Sequence, residues 1–199
     1  MFTTRPEIAG TFGAVTSTHW IASAVGMSVL ERGGNAADAA VSAGFVLTVV
    51  EPHLNGPLGE VPILVWPGAA EAPEVICGQG VAPAGLTRER LAAEGFDHVP
   101  GAGLLAAVVP GAFDAWMALL EAHGTWPLAD VLAPAIHYAE AGHPVLPRVS
   151  ATIAGRAAFF RDHWPSSAEV WVETPPGALL KNPDLAATWR RLVAEAEAA

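Results

Sequence analysis

Seven histidines stand in the chain, His19, His53, His98, His123, His137, His143 and His163, and imidazole is the commonest side-chain ligand for a transition metal. A metal site needs several such ligands converging, which a sequence shows as HExxH on one helical face or as paired cysteines. No such spacing occurs, so no metal and no other cofactor is expected. Ser17 and Thr18 precede His19, but neighbours along an extended strand point to opposite faces, so adjacency makes no catalytic dyad. A strand end followed by a helix cap is the expectation there. Cys77 ends an apolar run with no histidine or lysine beside it, the setting of a small apolar filler rather than of an activated thiolate. The stretch Asn55-Gly56-Pro57-Leu58-Gly59-Glu60 has neither the GxGxxG pattern nor GxxxxGK followed by Ser or Thr, and so is no phosphate cradle. It reads as a turn or as a loop approaching an active site. Gln79 lies between Gly78 and Gly80, where backbone without side chains on both flanks permits close approach of another group.

The elements that must position these residues begin with a helix pair. Ile21, Ala24, Val25, Met27, Val29 and Leu30 recur near helical spacing, and Gly33-Gly34 stops the helix where a left-handed cap is expected. Asn35 can cap the next helix, with Asp38 near its positive end. That second helix, Ala36 to about Val50, is apolar on nearly every side and should be buried. Thr11 to Ser17 reads as a strand ahead of the pair. Ile63-Leu64-Val65-Trp66 and Glu74-Val75-Ile76-Cys77 read as a hairpin around Pro67-Gly68-Ala69-Ala70. Helices are expected over Thr87 to Glu94, Ala112 to Ala122, Leu128 to Ala141, Arg148 to about Arg161, and from Pro183 to the end. A compact apolar run, Leu104 to Val109, precedes Pro110-Gly111. The last helix has a beginning at Asn182-Pro183 but no closing residue after Ala199, which reads as a truncated chain.

Composition narrows the class. Of the 199 residues, 52% are hydrophobic, richer than a self-contained domain, which points to a missing partner surface. A net charge of -10 with only 10 Lys and Arg argues against nucleic acid, whose phosphates need cationic partners. One cysteine excludes an intrachain disulfide. MFTTRPEIAG lacks the basic start and long apolar core of a secretory signal, and no apolar run reaches the roughly 18 to 20 residues that span a bilayer. The chain is read as soluble and cytoplasmic, with no membrane partner.

The string SAVGMSVLERGGNAADAAVSAGFVLTVVEP, with GAVTSTHWIAS ahead of it, resembles the N-terminal signature of γ-glutamyltranspeptidases and their relatives. Further matches are Ala82-Pro83, Val109-Pro110-Gly111, His123-Gly124 with Trp126-Pro127, Pro134-Ala135-Ile136 with Ala139 and Gly142, and Asn182-Pro183-Asp184-Leu185-Ala186. The resemblance covers essentially all 199 residues. It implies an α+β chain, a helix-rich large-subunit segment with short strands, part of the αββα N-terminal-nucleophile hydrolase fold. Residues 1–199 are then the N-terminal segment of a large subunit. In that family a proenzyme cleaves itself into large and small subunits. The new N-terminal threonine attacks an amide carbonyl, with its own α-amine as base, and an acyl-enzyme forms. The TTH-type processing motif occurs nowhere in this sequence, so the catalytic residue is absent and this chain alone is expected to be inactive. The rest of the large subunit and the small subunit are the implied partners.

Two departures bear on substrate. The family hairpin is followed by GRE-x-AP, whose arginine pairs with a substrate α-carboxylate; here the stretch reads Gly78-Gln79-Gly80-Val81-Ala82-Pro83. Gln79 offers hydrogen bonds but no charged bidentate clamp. The family's glycine-rich loop keeps only Gly56 and Gly59, and Glu60 would add negative charge near the pocket. Gln79, Asn55 and Glu60 are therefore the candidate substrate-binding residues. THWIASAVGM and EPHLNGP followed by GEVP look similar to the amidohydrolase branch that includes oxamate amidohydrolases. The reading is cleavage of a small acid amide, with γ-glutamyl hydrolysis or transfer, a β-lactam acylase and a non-catalytic interaction domain as alternatives.

Overall fold

The computed structural model describes residues 7–68 and 70–198, and these divide into two compact units. One unit comprises the chain up to Gly56 together with the part from His123 onward; the other is Pro57–Ala122. The first six residues of the expected N-terminal non-signal and the chain end at Ala199 lie outside the described residues.

The first unit is built on α1 (Trp20–Glu31) and α2 (Ala36–Val50). α1 ends as the glycines demand. Gly33 adopts φ 92°, and the Gly34 and Gly33 amides donate to the carbonyls of Val29 and Leu30 at 2.9 and 3.1 Å, the paired bonds of a left-handed helix stop. Asn35 then caps α2, accepting from the amides of Ala37 and Asp38, while the Asp38 carboxylate accepts from the Asn35 amide at 2.9 Å. Gly26 lets the two helices close on each other: a Cβ there would stand 3.4 Å from the Ala39 carbonyl oxygen and 3.5 Å from the Ala43 Cβ.

The second unit carries the hairpin β1 (Val61–Val65) and β2 (Glu74–Gly78), a short α3 (Arg88–Ala93) capped by Thr87, a 3-10 turn at Leu104–Ala106, and α4 (Ala112–His123), whose last residue belongs to the first unit. Beyond it the first unit resumes with α5 (Leu128–Ala141), β3 (His143–Pro144), α6 (Pro147–Ala154), α7 (Ala157–His163), α8 (Pro165–Trp171), β4 (Leu179–Leu180) and α9 (Pro183–Ala198). Among the described residues the strands form two antiparallel ladders, β1–β2 and β3–β4. This is the helix-rich α+β segment expected.

The core of the first unit forms where α2 packs against α1 and α5, and α5 against α9. Val41, Phe45, Val46, Val50, Val131, Leu132, Ala135 and Trp189 are all buried. Phe45 and Trp189 meet edge to face, centroids 5.8 Å apart, a favoured aromatic geometry. α2 is buried on nearly every side, as its all-round apolar sequence requires. Among the described residues no helix is long and apolar enough to cross a membrane.

Two expectations are corrected. Residues 11–17 form no strand: their β-branched and aromatic composition favours extension, but they join no ladder among the described residues. The helix expected over Arg148 to Arg161 is broken, because Gly155 ends α6 and the Arg156 amide turns back to the Ile153 carbonyl at 3.0 Å before α7 starts. The apolar run Leu104 to Val109 forms a 3-10 turn at Leu104–Ala106, with Leu104 95% exposed.

Candidate functional site

The hairpin of the second unit brings two candidate residues to one place. Val61 pairs with Gly78 across β1 and β2, so Glu60 and Gln79 are the residues next beyond the last pair, at the same end of the ladder. Both are exposed. The backbone beneath them is held tightly. The Gly59 carbonyl accepts from the Gly111 and Ala112 amides at 3.3 and 3.0 Å, and the Val81 carbonyl from the Val109 amide at 2.9 Å. The first two are amides at the start of α4, which lack partners within the helix.

The glycines flanking Gln79 explain how these segments approach. A Cβ on Gly78 would stand 2.6 Å from the Ala115 Cβ, one on Gly111 2.6 Å from the Gly78 carbonyl oxygen, and one on Gly80 would strike the Val109 carbonyl. No side chain fits at any of the three without displacing backbone or a packed helix. Gln79 is thus a neutral amide on a fixed main chain, and Glu60 stands at the same end of the ladder. This corner can donate to a carbonyl and accept from an N–H; it has no cation of its own among these two residues.

Asn55 falls in the first unit. Its amide and its Nδ2 both donate to the Glu51 carbonyl at 3.3 Å, tying the start of the loop to the end of α2, and its side chain is exposed.

Glu51, which caps the C-terminus of α2, marks a cluster that sequence reasoning passed over. It is fully buried, yet its carboxylate accepts from the Thr18 hydroxyl and the Arg148 guanidinium. Burial works to raise its pKa, but these two hydrogen bonds and the charge of Arg148 outweigh it and leave the carboxyl below its ordinary range. His19 is buried beside this pair. Its Nδ1 accepts from the Ile21 amide at 3.1 Å and so caps α1, which leaves the proton of the neutral ring on Nε2. Burial pushes its pKa down, with Glu51 opposing and Arg148 adding to the shift. The Ser17 hydroxyl donates to the His19 carbonyl at 2.7 Å. None of Ser17, Thr18 and His19 forms a nucleophile–base pair: Thr18 is spent on Glu51, Ser17 on backbone, and the His19 ring on a helix cap.

A second buried acid, Asp38, ties α2 to the chain ahead of α5. Its Oδ1 accepts from the Thr125 and Trp126 amides, its Oδ2 from the Thr125 hydroxyl and the Asn35 amide. Burial raises its pKa and these four donors more than reverse that, so the group sits below the usual carboxylate range. One signal in the sequence pointed to both acids: a carboxylate within or ending an otherwise apolar, buried helix must find partners. Among the described residues no three His, Cys, Asp or Glu side chains gather in a way that could hold a metal ion. Cys77 is exposed, correcting the buried-filler expectation; it lies on an outer face of the hairpin, opposite Pro62.

Comparison with known proteins supplies the context for this geometry. Residues 22–199 match the gamma-glutamyltranspeptidase family model. The glutathione hydrolase-like YwrD proenzyme of Bacillus subtilis (strain 168) is 40% identical over 140 residues, covering 70% of this chain and 26% of that protein. The oxamate amidohydrolase proenzyme of Klebsiella pneumoniae subsp. pneumoniae is 34% identical over 195 residues, covering 93% of this chain and 36% of that protein. The solved structure of LmbA2991HD superposes with a TM-score of 0.93 at 59% identity, over 98% of this chain and 34% of that one. The chain therefore spans 26 to 36% of the length of these relatives.

Proposed function

The chain belongs to the gamma-glutamyltranspeptidase family, and from that premise we propose that the whole protein is an amidohydrolase cleaving a small acid amide of the oxamate type. The nucleophile would be an N-terminal threonine supplied from outside these 199 residues, on the small subunit of a processed proenzyme. Its hydroxyl oxygen attacks the amide carbonyl while its α-amine takes the proton. The C–N bond breaks, that proton leaves with the ammonia, and water then hydrolyses the acyl ester to the free acid.

The observation that carries the substrate reading is the corner made by Gln79 and Glu60. The family resemblance places an arginine at Gln79, and an arginine there would clamp an α-carboxylate in two parallel charged bonds. A neutral amide beside a carboxylate suits a different group: Gln79 donates to the substrate carbonyl and Glu60 accepts from its N–H. We assign both to substrate binding; Asn55, on the loop after α2 in the first unit, is a candidate of its own. The likeness to an oxamate amidohydrolase proenzyme along 93% of this chain supports the same reading.

The full-length, processed protein should release ammonia from oxamate. Efficient release of p-nitroaniline from γ-glutamyl-p-nitroanilide with oxamate left intact would overturn the proposal. That outcome would favour a second reading, γ-glutamyl hydrolysis, for which the 40% identity to a glutathione hydrolase-like proenzyme speaks.

A further inference from the structure

A cavity of about 410 Å³ opens in the first unit between the exit of α2 and the three helices α6, α7 and α8, lined by Pro52, His53, Thr152, Ile153, Arg156, Phe160 and Trp171. We propose that it is a binding site for a small carboxylate with a flat apolar body, a site separate in its residues from the Gln79–Glu60 corner.

Volume and lining argue for a small molecule. The cavity falls within the ~300–1,000 Å³ range of small-molecule pockets, which are typically apolar with a few polar groups that fix orientation. Ile153 is buried and packs with Val145, Val149 and Leu180, with Trp171 against this cluster, so the floor is a fixed part of the core. Phe160 and Trp171 supply aromatic surface, which gives a planar body broad contact at little cost in side-chain entropy.

Charge argues for an anion. In a chain with 20 acidic against 10 basic residues, the lining holds one arginine and no carboxylate. Among the described residues Arg156 is engaged by no acidic partner, unlike Arg90, Arg148, Arg190 and Arg191. Glu51, the carboxylate whose field reaches His53, is already held by Arg148 and Thr18. His53 adds the directional contact: its Nδ1 is buried and has no hydrogen-bond partner among the described residues. Such an orphan is costly unless something fills it. A carboxylate accepting from the Arg156 guanidinium and from His53 Nδ1–H would satisfy both groups while its ring lies against Phe160 and Trp171.

The test titrates the full chain with phenylacetate, its neutral counterpart phenylacetamide, and acetate, followed by calorimetry. Loss of charge-assisted bonds to a carboxylate is worth about ten-fold or more in affinity. Phenylacetate should therefore bind saturably and about ten-fold more tightly than either of the others. Arg156→Met should weaken phenylacetate by about the same factor and leave phenylacetamide nearly unchanged. Arg156 is exposed, so this variant should fold, which circular dichroism checks. Arg191→Ala, in a surface pair with Glu195 on α9, should change nothing. Equal affinity for acid and amide, absence of saturable binding, or phenylacetate binding that survives Arg156→Met would each overturn the proposal, the last by placing the acid at another site.

Discussion

Asp38→Asn is the sharpest test of how the helix pair is held. The substitution keeps the size and shape of a side chain that is fully buried and changes only its charge and one of its acceptors. In the folded chain Oδ1 accepts from the Thr125 and Trp126 amides at 2.9 and 3.2 Å, and Oδ2 from the Asn35 amide at 2.9 Å and the Thr125 hydroxyl at 2.6 Å. Asparagine must place its NH₂ at one of the two positions. At Oδ1 it faces two amide donors; at Oδ2 it faces one, with a hydroxyl that can turn to accept. Two bonds to a charged acceptor, at ~1.5–3 kcal/mol each, are broken or weakened, and a rotated Thr125 hydroxyl recovers ~1 kcal/mol. The expected loss is ~2–5 kcal/mol, a large part of the ~5–15 kcal/mol that separates most folded domains from their unfolded chains. Urea unfolding should show that loss, and the melting temperature should fall by roughly 4–20 °C at ~2–4 °C per kcal/mol. A loss below ~1 kcal/mol, with the variant's circular dichroism unchanged, would refute the view that this carboxylate clamps α2 to residues 125–126.

Acid should expose His143. Burial, with the charge of His19 adding to it, lowers its pKa from 6.5 to about 4. Between those two values the unfolded chain binds the proton and the folded chain does not, so stability falls as pH drops through the window, by up to ~3 kcal/mol, and the His143 contribution flattens below it. His19 and His53 are lowered in the same direction; His143→Leu should therefore reduce the slope without abolishing it, as read from urea midpoints across the window. Arg148→Met leaves the buried Glu51 with Thr18 as its remaining side-chain partner; because the Arg148 side chain is 57% exposed, the loss should be ~2 kcal/mol in urea unfolding, below the ~3–5 kcal/mol of a fully buried pair. Gly80→Ala drives a methyl into the Val109 carbonyl and should cost ~2–3 kcal/mol, seen as faster proteolysis within residues 57–122 while the first unit keeps its protection.

What could be read from the sequence was local. Gly33 stops α1, Asn35 starts α2, Thr87 and Asn182 cap their helices, and Gly142 ends α5 with φ 94°, because each is a statement about a residue and its neighbours within one turn. Periodicity placed α5 to the residue for the same reason. The strand expected over residues 11–17 failed because a strand exists only with a partner, and composition does not name one. Asp38 was legible as a residue favoured near a helix N-terminus, but its clamp on Thr125 reaches 87 positions along the chain, and the Glu51–Arg148 pair spans 97. Nothing in the residues near Glu51 announces Arg148; only the rule that a carboxylate in an apolar setting must be paired calls for a partner at all.

The site divides along the same line. Gly78, Gly80 and Gly111 fix the main chain by close backbone approach, a duty no larger residue can take over. Gln79 carries no such duty: it is exposed on a main chain that its neighbours hold. Its side chain is therefore free to differ from an arginine without disturbing the fold, so the scaffold can be strongly family-like while the side chain proposed to meet substrate is not. Stability and substrate preference should separate at this position. Gln79→Arg should leave urea unfolding within ~0.5 kcal/mol, as for a surface substitution away from special features. In the processed full-length protein it should shift the ratio of γ-glutamyl-p-nitroanilide to oxamate turnover toward the anilide, because a guanidinium can form the two-pronged bond to an α-carboxylate that a glutamine cannot. A ratio unmoved by the substitution would mean that substrate is selected elsewhere, and that the glycines around Gln79 serve hairpin packing alone.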